Sequence, residues 1–78
     1  MENYLNKDGD SGVQKYEIDP DSIKLIFQSP KFLYTYDYIQ PGEDIVEEMK
    51  KRALEGRGLN TYINQHVKKN YHFKTPIN

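Results

Sequence analysis

The chain has 78 residues and no cysteine, with 11 Lys and Arg against 12 Asp and Glu and a formal net charge of -1. That length admits one small domain, and the lack of cysteine excludes a disulfide framework and any thiolate nucleophile or ligand. No apolar run reaches the roughly 18 residues of a membrane span, and the Met1 end lacks a basic segment followed by an apolar stretch, so the expectation is a soluble cytoplasmic protein with no membrane partner.

Residues 1–12 read as a flexible tail. The stretch Asn6-Lys7-Asp8-Gly9-Asp10-Ser11-Gly12 is polar and turn-forming, with too little apolar surface to offset its ordering entropy. Three strands are expected next. The first covers about 13–18, followed by a turn at Asp19-Pro20-Asp21-Ser22, where proline presets φ and the acidic and hydroxyl side chains bond local backbone. The second covers 23–28, with Ile23, Leu25 and Phe27 on one face. A turn at Ser29-Pro30 leads to the third, 31–39, where Phe32, Tyr34, Tyr36 and Tyr38 alternate with Leu33, Thr35 and Asp37. Short connections imply an antiparallel meander.

Pro41-Gly42 opens a helix whose apolar stripe is Ile45, Val46, Met49 and Ala53. Its acidic start and basic end suit the helix dipole, Glu47–Lys51 and Glu48–Arg52 are favourable four-residue pairs, and Gly56 is a natural stop. A second helix is expected from Leu59, with Asn60 as its N-cap and Leu59, Ile63, Val67 and Tyr71 along one face. The predicted domain is therefore 13–73, an α+β fold of three antiparallel strands followed by two helices packed on one face (β-β-β-α-α), with 74–78 a second tail.

Several short motifs lie within this frame. Tyr34-Thr35-Tyr36, or equally Tyr36-Asp37-Tyr38, forms a Y-x-Y followed by Ile39 and Pro41 and then a helix. Gly56, Leu59, Asn60 and Ile63 follow, with Asn64, Val67 and Tyr71 an alternative alignment. With this pattern residues 13–73 resemble a KTSC domain, the module at the C-terminus of some lysyl-tRNA synthetases and a stand-alone small bacterial protein. The family's Phe before the asparagine is Leu59 or Ile63 here. The resemblance implies a non-catalytic module, and its synthetase context suggests RNA binding.

The residues offer their own candidates. Tyr34, Tyr36 and Tyr38 either form a stacking row for bases or, with Phe32, pack in the core with hydroxyls at the rim. Charge is segregated: residues 1–48 hold 4 basic and 11 acidic side chains, and 49–78 hold 7 basic and 1 acidic. Lys50, Lys51, Arg52, Arg57, Lys68, Lys69 and Lys74 form either a phosphate-facing patch or ordinary solvated helix ends. Gly56-Arg57-Gly58 before a helix offers backbone amides, Arg57 and Asn60 to a phosphate, or is a plain turn.

Metal and catalytic patterns are poor. Asp8, Asp10 and Gly12 fit no calcium-loop register, and His66 and His72 share no helix face, His66 being expected partly buried and His72 exposed. Neither Ser22 nor Ser29 is tied to a base. The sequence thus predicts no cofactor, no metal and no enzyme. It predicts a nucleic-acid-binding module using Tyr34, Tyr36, Arg57, Asn60, Lys68 and Lys69, with RNA or another single strand as partner; the alternative is a protein partner or a homodimer.

Overall fold

The computed structural model describes residues 1–7, 9, 12–28 and 32–77. Seven elements follow in order: β1 Glu2–Asn3, β2 Val13–Asp19, β3 Ser22–Phe27, β4 Phe32–Asp37, α1 Glu43–Glu55, α2 Leu59–Tyr62 and β5 Phe73–Pro76. A π-helical turn, Ile63–Val67, continues α2 directly. The strands form one sheet in the order β1-β2-β3-β4-β5, and every pairing is antiparallel. Among the described residues no helix is long and apolar enough to cross a membrane.

The three-stranded meander followed by two helices is overturned: the sheet has five strands, because both chain ends return to its edges. Glu2 and Asn3 pair with Tyr16 and Lys15 of β2. The next residue, Tyr4, is buried, donates its N–H to the Gln14 carbonyl at 3.0 Å and accepts the Leu59 N–H on its hydroxyl at 3.3 Å. Lys7 donates its N–H to the Gly56 carbonyl at 2.7 Å. The segment expected as a tail therefore supplies a strand and a core aromatic. At the other end Phe73, Lys74, Thr75 and Pro76 pair with Thr35, Tyr34, Leu33 and Phe32 of β4. Proline is tolerated there because β5 is an edge strand. Asp8, Asp10, Ser11, Ser29, Pro30 and Lys31, on which parts of the sequence reading fell, lie outside the described residues.

The core lies between one sheet face and the helices. Ile23, Leu25 and Tyr36 meet Val46, Met49 and Ala53 of α1 and Leu59, Ile63 and Val67 of the second helical segment, with Val13 and Tyr4 closing the β2 side. The predicted apolar stripes are buried, Ile45 only partly, except at Tyr71: the second helical segment ends at Val67, where Lys68 turns the chain at φ 54°, so Tyr71 lies beyond the helix and is half-buried. On the other sheet face Lys24 pairs with Glu17 at 3.6 Å and Asp19 at 3.4 Å.

Helix α1 ends as expected at Gly56, whose φ of 77° lets its N–H close on the Arg52 and Ala53 carbonyls. The Glu48–Arg52 pair forms at 2.8 Å. Glu47 does not pair with Lys51. It takes Lys50 at 2.8 Å, because Lys50 is drawn inward to donate to the Pro20 carbonyl at 3.0 Å.

A tail contributes nothing to stability, whereas a buried aromatic does. Tyr4→Ala is expected to cost about 2–4 kcal/mol of unfolding free energy, read from urea denaturation.

Candidate anion-binding groove

Between β3, β4 and β5 on one side and the end of the second helical segment on the other lies an open groove of about 300 Å³. Its walls are Phe27, Tyr34, Tyr71 and the edges of Tyr36 and Ile63, and Lys68, Lys69 and Lys74 border it. The aromatic wall is self-supporting. Tyr34 meets Phe27 edge to face at 5.2 Å between centroids and Tyr71 at 5.0 Å. Such geometry sets the positive ring edge against the negative face of its neighbour.

The lysines come from two banks. Lys74 is on β5, and its Nζ stands 4.3 Å from the Phe32 ring centroid and 5.9 Å from that of Tyr34. Lys68 and Lys69 follow the π-helical turn, whose last hydrogen bond runs from the Lys68 N–H to the Ile63 carbonyl. Among the described residues no carboxylate forms an ion pair with any of the three. Their like charges converge on one concave surface and attract anions there.

Lys68 also ends the helical segment in an uncommon way, with φ 54° and ψ -123°, a backbone state that favours glycine.

The sequence-chosen residues separate into two groups. Tyr34, Tyr36, Lys68 and Lys69 meet at the groove, but Tyr36 is only 2% exposed and offers no ring face to a base. Burial pushes its hydroxyl well above the ordinary tyrosine range, with the Tyr34 and Tyr71 hydroxyls adding to the effect. Arg57 and Asn60 line no part of the groove; they sit at the start of the segment that ends at Lys68. Asn60 is not the N-cap: Gly58, at φ 78°, holds that position and makes no side-chain cap, and Asn60 is already helical. The seven-cation patch does not assemble. Lys50 is held by Glu47 and Pro20, and Arg52 by Glu48, the Gly58 carbonyl at 3.2 Å and the Tyr62 ring at 4.8 Å. Tyr38 leans on α1 instead, donating its hydroxyl to Glu47 at 2.7 Å. That bond, with desolvation and nearby carboxylates behind it, pushes its pKa up to about 12.

The histidines exchange their expected environments. His66 is exposed and lies against Tyr62 at 4.9 Å between ring centroids. His72 is partly buried, with Nδ1 2.6 Å from Asp37 Oδ2. Asp37 Oδ1 accepts the N–H groups of Ile39 and Gln40, each at 3.0 Å. Gln40 Nε2 donates in turn to Asn70 Oδ1 at 2.8 Å and to the Tyr71 carbonyl at 3.1 Å. Asp37 and Gln40 thereby hold Tyr71 in the groove wall. Nothing local foretells this pairing, since Asp37 and His72 are 35 residues apart. Among the described residues no cluster of three metal-ligating side chains occurs. No family model, curated protein or solved structure matches the chain.

Desolvation raises the Asp37 pKa, but the His72 hydrogen bond, the two backbone N–H groups and the His72 charge outweigh it and hold the carboxyl below the ordinary aspartate range. A depressed folded-state value means stability present above the unfolded pKa and lost as pH falls through the folded one. Asp37→Asn should therefore be less stable than wild type at neutral pH, and the gap should close in strong acid, as followed by thermal melts across pH. Lys68→Gly should act oppositely, raising stability by about 1 kcal/mol by relieving its backbone conformation. A urea titration reads that gain.

Proposed function

We propose that this protein is a small non-catalytic, KTSC-like module of the cytoplasm that binds single-stranded nucleic acid, RNA above all, through the groove. The observation that carries the reading is the convergence of three lysines, from β5 and from the end of the helical segment, on a wall of tyrosines, none of the three ion-paired with a carboxylate among the described residues. Phosphates would lie along Lys68, Lys69 and Lys74, and a base would rest against Tyr34 or Tyr71. Tyr36 would brace that wall from beneath. Arg57 and Asn60 would serve only as outlying contacts of a longer strand.

Local charge matters more here than the net value of -1. Most of the acidic side chains belong to the first 48 residues, whereas all three groove lysines come from the last eleven. A single strand can bend into a groove of this size and expose its bases; a duplex can do neither. The resemblance of 13–73 to the KTSC family, with its tRNA-synthetase context, points the same way.

Fluorescence anisotropy with a short labelled oligoribonucleotide tests the reading. Three lysine–phosphate contacts predict a slope of about -2 in log affinity against log salt, roughly -0.7 for each contact on a single strand. Lys68→Glu and Lys74→Glu should each weaken binding by about tenfold, and Lys68→Gly should weaken it while stabilising the fold. Absent or salt-independent binding at micromolar protein overturns the proposal.

A further inference from the structure

A second surface lies on the other side of the molecule, where α1 leaves β2 partly uncovered. Two adjoining depressions share Ile18 and Leu54, and one of them extends to Met1 and Tyr16. Leu54 is 64% exposed and Ile18 36%, so the place where the two depressions join is apolar and open to solvent. Lys51 and Glu55 border the same depression, and among the described residues neither forms an ion pair. Their helix neighbours are engaged: Glu47 with Lys50 and Tyr38, and Glu48 with Arg52.

Lys51, Leu54 and Glu55 share one helix face, being three and four residues apart. This arrangement complements itself. When two copies of α1 lie antiparallel about a two-fold axis level with Ala53, one residue from Leu54, Lys51 of each copy faces Glu55 of the other. The two leucines then meet beside the axis, each against Ile18 of the opposite copy. A parallel arrangement would instead set lysine against lysine and glutamate against glutamate. An isologous contact needs such a patch, apolar at its centre with charges that exchange across the axis.

We propose that the protein forms a two-fold dimer through α1, with Leu54 packed against Leu54 and Ile18 of the second copy and Lys51 paired with Glu55 in both directions. The contact stands at the β2 side of the sheet, and the groove at the β5 side. Dimerisation therefore leaves both grooves open, and the proposal does not depend on what they bind.

Sedimentation equilibrium on the full chain at several concentrations decides it. Wild type should show a monomer–dimer equilibrium, and Leu54→Asp should sediment as a monomer. Lys51→Glu and Glu55→Lys should each weaken association by at least about fivefold, because each turns two attractions into two repulsions. The doubly substituted K51E/E55K chain should recover wild-type association, since the pairing is restored with its signs exchanged. All these positions are exposed, and thermal melts verify that each variant is folded. A monomeric wild type, single reversals without effect, or a double variant that stays dissociated would each overturn the dimer; a foreign helical partner at this face would give the first of these results.

Discussion

Covering the apolar side of a five-stranded sheet is the constraint that shapes this molecule. The helical cover is a 13-residue α1 and a second segment of 4 residues plus one π-helical turn. A domain of this length buries a modest share of its surface and has little margin against conformational entropy. The chain ends complete the cover. Tyr4 fills the gap beside β2 and ties itself to Leu59 and Gln14. At the opposite edge Tyr71 packs against Tyr34 and Tyr36.

That second closure produces the groove. Asp37, at the end of β4, bonds the turn that follows it and the imidazole that precedes β5. Gln40, from the same turn, grips Asn70 and Tyr71. The chain between the helical segment and β5 is thus held at both ends of a short span. Lys68 and Lys69 are left on one bank and Lys74 on the other. The energetic cost of concentrating three cations is reduced by the surrounding water and by the Phe32 and Tyr34 ring faces below Lys74.

The two surfaces differ in physical character. The groove has aromatic walls and charges of one sign, an arrangement that favours a polyanion. The α1 face has an apolar centre flanked by Lys51 and Glu55, helix charges of opposite sign that form no ion pair among the described residues, an arrangement that favours a copy of itself. They occupy opposite ends of the strand order, so occupation of one does not obstruct the other.

The sequence by itself determined the elements whose signals are local. The alternation in β3 and β4, the stripe of Val46, Met49 and Ala53, the stop at Gly56 and the four-residue steps Leu59, Ile63 and Val67 are all realised, because period and burial are set by near neighbours. It also marked Tyr34, Lys68 and Lys69 as residues of interest. Only the tertiary structure decided that the ends become β1 and β5, that Asp37 meets His72, and that Lys74 joins the groove while Arg57 does not. A two-residue strand has no period to read, and an edge strand draws its order from a neighbour some forty residues away. Such contacts depend on chain closure and on which side chains the core already holds, information that no local window contains.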